Sequence, residues 1–153
     1  MGLLSFIFGK RITVEDEFFG QMIFAGSKRA ASDSYFECRR QFQPSGQKIE
    51  IGIEADISGP TVKQIAFFKE IEKRYTEISA AIMPLIEGQF RNRKEDFKIM
   101  DFKNEFQPVY LWMPRCENLP IIWEIAFESD HDKNHTFTVT MSDIEAKEVL
   151  IDG

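Results

Sequence analysis

From Ile49 to Ile57 apolar and polar residues alternate without a slip: Ile49, Ile51, Ile53, Ala55 and Ile57 fall on one side, Glu50, Gly52, Glu54 and Asp56 on the other. A period of two is that of a β-strand with one buried and one wet face, because successive side chains of a pleated chain point to opposite sides. Such a strand belongs in a sheet covered on one side only, which argues against a buried parallel strand and for an antiparallel meander. Ser34 to Phe42 repeats the pattern, with Phe36, Cys38 and Phe42 facing one way and Tyr35, Glu37, Arg39 and Gln41 the other, while Arg40 stands out of place on the apolar face. Pro44, Ser45 and Gly46 between them are a turn signal. Upstream, Arg11 to Phe24 reads as one or two strands interrupted by the acidic run Glu15, Asp16, Glu17 and by Gly20, and Gly26 to Asp33 reads as a polar loop.

The period then changes. Ser58, Gly59 and Pro60 end the alternation, and Thr61 followed by Gln64 forms a capping box that satisfies two free amides at a helix start. Phe68, Ile71, Tyr75, Ile78, Ile82 and Leu85 recur at alternating spacings of three and four, one apolar stripe along a helix from Val62 to about Arg91. Unbroken, it would be ~45 Å long, more than one face of a small domain covers. Pro84 lacks the amide that would bond the carbonyl of Ala80, so a kink there, or a second short helix from Pro84 to about Phe90, is expected. Arg91, Arg93 and Lys94 suit the negative end of the helix dipole.

Lys94 to Pro108, with Phe97, Phe102 and Phe106 among charges, fits either a further short helix or an irregular crossing. Val109 to Met113, Ile121 to Glu128, Thr136 to Met141 and Glu148 to Asp152 are strand-like and separated by polar turns of hairpin length, a second meander. The pattern therefore predicts a single α+β domain over residues 1–153. Its mainly antiparallel sheet, two meanders of about six or seven strands, packs on one long helix.

Composition adds little to this frame. At 153 residues, 43% of them hydrophobic, the chain can bury one core without staples. A net charge of −6 opposes the phosphate-neutralising footprint that nucleic-acid binding needs. A protein partner with a basic surface fits better, and a homo-oligomer joined through a sheet edge or the helix is a further alternative. Cys38 and Cys116 have no metal-type spacing and read as reduced, buried thiols of a cytoplasmic protein. Met1 to Lys10 is too short an apolar stretch to span a bilayer and lacks the features of a signal peptide, so it reads as a short helix or strand packed on the domain.

Chemistry-bearing constellations are few. The turn Asp130, His131, Asp132, Lys133, Asn134, His135 holds both histidines of the chain. Imidazole beside carboxylate suits zinc or another divalent ion, so Asp130, His131, Asp132 and His135 are the candidates for a metal-binding protein or a metal-assisted hydrolase. The same stretch starts like a calcium loop but has His135 where glycine is wanted and Met141 where glutamate is wanted, which excludes an EF-hand. There is no nucleophile elbow, no phosphate-cradling glycine loop and no histidine near either cysteine, so the chain reads as non-enzymatic and no cofactor is implied. Phe18, Phe19, Phe24, Trp112, Trp123 and Phe137 lie in strand-like runs and read as core. The acidic positions Glu15, Asp16, Glu17, Glu50, Glu54 and Asp56 read as solvated surface and as candidate contacts for a basic partner.

The carboxy-terminal third carries Trp123 to Glu128, the His/Asp turn, Phe137-Thr138-Val139 and the closing Val149 to Gly153. It resembles small uncharacterised bacterial domain-of-unknown-function families, some of them similar to immunity proteins of polymorphic toxin systems. That resemblance implies a bacterial cytoplasmic protein with a protein-binding role and assigns no functional residue.

Overall fold

The side-chain amide of Gln64 joins the two halves of the molecule. The computed structural model describes residues 12–26 and 34–153, so the expectations for Met1 to Lys10, for Arg11 and for most of the Gly26 to Asp33 loop lie outside the described residues. Among the described residues, eight strands form one sheet in the order of the chain: β1 (Thr13–Asp16), β2 (Gly20–Ala25), β3 (Tyr35–Phe42), β4 (Gln47–Glu54), β5 (Phe106–Met113), β6 (Ile122–Ser129), β7 (Asp132–Ser142) and β8 (Glu145–Asp152). Helices α1 (Val62–Lys73), α2 (Tyr75–Arg91) and the short α3 (Phe102–Glu105) occupy the crossing from β4 to β5.

The two expected meanders are present as β1 to β4 and β5 to β8, with eight strands instead of six or seven. The seam between them corrects a second expectation, since β4 and β5 run parallel, with Glu50 opposite Tyr110 and Gly52 opposite Trp112. Parallel strands read as continuously apolar when crossovers cover both faces of a sheet. Here the single crossover covers one face, so β4 keeps an alternating pattern beside a parallel neighbour. Ile49, Ile51, Ile53 and Ala55 are buried as the alternation requires. Ile57 is 42% exposed, because β4 ends at Glu54 and Asp56 turns the chain by accepting the amide of Ser58.

The capping box forms as read from sequence: Gln64 N donates to Thr61 Oγ1 at 3.3 Å and Thr61 N donates to Gln64 Oε1 at 2.9 Å. Gln64 also does more. Its Nε2 donates to the carbonyls of Glu54 at 2.7 Å and Pro114 at 2.9 Å, the points where β4 and β5 end. Fully buried, the carboxamide satisfies a helix start and two strand ends at once.

Phe68, Ile71, Tyr75, Ile78 and Ile82 are buried against the sheet as expected, and Ile86 takes the last buried position in place of Leu85, which is half-buried. Burial of a large aliphatic or aromatic side chain contributes about 1.5–3 kcal/mol. The helical stretch comprises the shorter α1 and one long helix, α2. The break falls at Arg74 (φ −102°, ψ 18°), whose amide still reaches the carbonyl of Glu70 and whose carbonyl still accepts the amide of Ile78. Pro84 lies inside α2, which continues to Arg91. Its ring is exposed between Ile82 and Ile86, so the cost is one missing hydrogen bond on the wet side.

The undecided stretch resolves into a loop and α3 that bury Phe97, Phe102 and Phe106, with Phe90 and Phe97 stacked at 4.4 Å and Phe102 and Phe106 at 5.2 Å. Pro108 lies in the part of β5 that pairs only with β6, and the register shifts between it and Tyr110, as suits a residue with no amide to give. Arg40, the misplaced charge, lies on the covered face with its guanidinium 3.8 Å over the ring of Phe18 and Nη1 donating to the carbonyl of Phe18. Both cysteines are free, Cys38 buried and Cys116 only half-buried.

Replacing Gln64 with alanine strips the partners from two buried carbonyls and one amide, an expected loss of roughly 2–4 kcal/mol in stability. Urea denaturation of Gln64→Ala checks this; a loss within a few tenths of a kcal/mol would show that the carboxamide is dispensable.

Candidate functional site

The histidine-bearing turn is built differently from the sequence expectation. Only Asp130 and His131 form the turn, and Asp132 to His135 already belong to β7. Nε2 of His131 lies 2.7 Å from Oε1 of Glu105, with its imidazole edge-on to Phe97 at 5.0 Å. Nδ1 of His135 lies 2.8 Å from Oδ2 of Asp132, which also accepts from Nη1 of Arg93 at 3.3 Å. Asp130 points away, its side chain 93% exposed and 4.0 Å from Lys133 Nζ. Each imidazole thus has its own carboxylate, and an arginine already supplies the positive charge at Asp132. Among the described residues no group of three or more His, Cys, Asp or Glu is disposed to hold a metal ion, so Asp130, His131, Asp132 and His135 do not form the donor set that a metal-assisted reaction needs.

Glu105 is the keystone of this corner. Burial alone would raise its pKa, but the backbone amides of Asp101 and Met100 and the imidazole of His131 outweigh that and hold the carboxylate below its usual range. The site ties α3 to the β6–β7 turn, and Ser129 Oγ adds a bond to the carbonyl of Glu105 at 2.8 Å.

The other face of the sheet carries the second candidate. Every helix among the described residues packs on the side that bears Met22, Phe36, Ile51, Leu111, Ile125 and Val139. On the opposite side the register aligns Ile23, Glu37, Gly52, Trp112, Glu124 and Thr140 in one row across the strands, and Arg39, Glu50, Tyr110, Ala126, Thr138 and Leu150 in the next. Gly52 is why the centre is aromatic. A Cβ there would lie 2.5 Å from the hydroxyl of Tyr110 and 2.6 Å from the ring of Trp112, so the two side chains of β5 lean into the space that a side chain on β4 would fill. Tyr35 meets Trp112 edge to face at 5.6 Å. All three rings are half-exposed.

Around these rings stand carboxylates. The hydroxyl of Tyr110 is pushed up to about 12, by burial first and then by Glu37, Glu124, Tyr35 and Glu50. Beside it opens a hollow of about 600 Å³ lined by Gln21, Ile23, Glu37, Arg39, Glu50 and Tyr110. Of the six acidic candidates, Glu15, Glu50 and Glu54 share this face, Glu54 paired with Arg115 at 3.3 Å. The other three have local roles or positions. Asp16 caps the β1–β2 turn by accepting the amides of Phe18 and Phe19, Glu17 sits in that turn, and Asp56 is held by Ser58 beyond the end of β4.

Sequence reasoning missed Tyr35, Tyr110 and Trp112 as a surface. Phe19, Phe24, Trp123 and Phe137 are core as read, whereas Trp112 is not. The signal was present in the segment Tyr110 to Met113: Leu111 and Met113 share a parity, which sends Tyr110 and Trp112 to the other face.

No family model, curated protein or solved structure matches this chain, so the geometry carries the functional argument by itself. No helix among the described residues is long and apolar enough to cross a membrane.

The lowered pKa of Glu105 sets a pH dependence whose sign is fixed. The stability it contributes is fully present above the normal carboxylate range and is lost as pH falls through its own depressed value. Urea unfolding across a pH series should therefore find Glu105→Gln less stable than the parent at neutral pH, with the gap closing in acid. A gap that stays constant into acid would contradict the assignment.

Proposed function

We propose that this chain is a non-enzymatic bacterial protein-binding module, of the kind that neutralises a toxin as an immunity protein, and that it recognises its partner through the open face of the sheet. The single observation that carries the reading is the locked aromatic centre: Tyr110 and Trp112 seated over Gly52 on a face that no described helix covers. Tyrosine and tryptophan are enriched where proteins meet, because each gives a large rigid contact with a polar handle, and a few such side chains carry most of the energy of an interface. Rings held in place before binding lose little entropy on contact. The acidic balance of the chain supports the same reading. The metal-assisted alternative has no such support, because its candidate ligands do not converge: His131 meets Glu105, His135 meets Asp132, and Asp130 points to solvent.

Photo-crosslinking in the native bacterial host tests this. A crosslinking residue at Tyr35 or Thr138 on the open face should capture a partner, and one at Pro84 on the exposed side of α2 should not. The double substitution Tyr110→Ala and Trp112→Ala should weaken the captured complex by about 2–4 kcal/mol while the chain remains folded. Capture from α2 alone, or from neither surface, would overturn the proposal, and protection against a toxin encoded beside the gene would identify the partner class.

A further inference from the structure

The chemistry around Tyr110 specifies what the open face can take. Glu50 stands beside Tyr110 on β4, and Glu124 stands beside Trp112 on β6. With strands about 4.8 Å apart, the Cα atoms of these two glutamates are roughly 10–12 Å from each other across the Tyr110 ring, a span that two glutamate side chains close onto one planar cation. Glu50 and Glu124 make no ion pair and no side-chain hydrogen bond with the described residues. Their charge is therefore available. Glu148, opposite Thr140 on the same face, extends the acidic row to the β8 edge. Of the cations on this face, Arg115 is paired with Glu54, and Arg39 opposite Glu50 on β3 and Lys48 on β4 lie away from Glu124. The hollow of about 600 Å³ between them and Tyr110 has room for a long side chain.

We infer that the face receives an arginine side chain from a basic surface of a partner protein, its guanidinium laid against the Tyr110 and Trp112 rings and bonded to Glu50 and Glu124; this rests on the protein-binding reading above. Arginine fits better than lysine, because its flat guanidinium stacks on an aromatic ring while its fork bonds carboxylates in the same plane. A second copy of this chain meeting the face would set carboxylate against carboxylate. Nucleic acid and anionic lipid are repelled by the same charge. A basic protein surface is the occupant that turns the whole field to advantage and also speeds encounter.

The test titrates the isotope-labelled full chain by nuclear magnetic resonance with an oligo-arginine peptide and an oligo-lysine peptide of equal length at physiological salt. Oligo-arginine should shift the outer-face residues of β4, β5 and β6 and bind about tenfold tighter than oligo-lysine. Glu50→Gln with Glu124→Gln should weaken it about tenfold, and Tyr110→Leu should abolish the preference for arginine. Glu50→Gln alone, at an exposed position, keeps the test valid should the double variant melt early. Equal affinity for both peptides with shifts scattered over the chain, no binding, or no effect of the substitutions would overturn the inference. A crosslinked partner that meets this face through an acidic or apolar surface would overturn the arginine assignment and leave the protein-binding reading standing. Failure to capture any partner at this face would remove both.

Discussion

A parallel pair of neighbouring strands has to be closed by a long crossing. Here the start of that crossing is tied to both strands by one side chain. Gln64 gives the two hydrogens of its carboxamide to the carbonyls of Glu54 and Pro114, where β4 and β5 end, and its oxygen takes the amide of Thr61. Any displacement of α1 from the seam would leave buried polar groups without partners, and such groups cost roughly 1–3 kcal/mol each. The helix start, the end of the first meander and the end of the first strand of the second are therefore fixed by the same group. With α1 anchored there, Phe68 and Ile71 fall onto the sheet, and α2 follows with Ile78, Ile82 and Ile86. The helices among the described residues thus lie on one face of the sheet, and none of them covers the other.

The same seam produces the candidate site. Parallel pairing places Gly52 beside Trp112 and Glu50 beside Tyr110, and only a residue without a side chain lets both rings lean across the strand. An antiparallel neighbour brought in by a tight turn would have put local sequence there. The crossover instead imports two aromatics from more than fifty residues away, and Glu37, Glu50 and Glu124 from three strands gather around Tyr110. Fold and candidate surface thus arise from one topological choice. The histidine corner has a different role: it joins α3 to the β6–β7 turn through Glu105 and His131, and brings Arg93 from the end of α2 to Asp132 on β7.

How much of this was legible in the sequence depended on how local the cause was. The buried positions Ile49, Ile51 and Ile53, the Thr61–Gln64 capping box and the stripe from Phe68 to Ile82 are written in spacings of two, three and four residues, and each is found as read. The parallel partner of β4 is not local, and an alternating pattern carries no mark of it when one face stays wet. Pro84 is the expected break because it lacks an amide, but an exposed proline costs only one bond and the helix is interrupted at Arg74 instead. Ile57 continued the alternation in sequence but lies past the turn that Asp56 makes. The two histidines seemed to share a site because they are close in the chain. They are engaged separately, His131 with Glu105 of α3 and His135 with Asp132, which Arg93 also bonds. Lying in a strand-like run suggests core for Trp112, but the parity of Leu111 and Met113 sends it to the other face.

The dependence of the architecture on the seam is open to direct measurement by amide hydrogen exchange under native conditions, read residue by residue. If Gln64 unites the helix with the parallel pair, the amides of β4, of β5 and of the first turns of α1 open together with one common free energy. Separate opening of α1 in the intact chain, while β4 and β5 keep their full protection, would contradict the account.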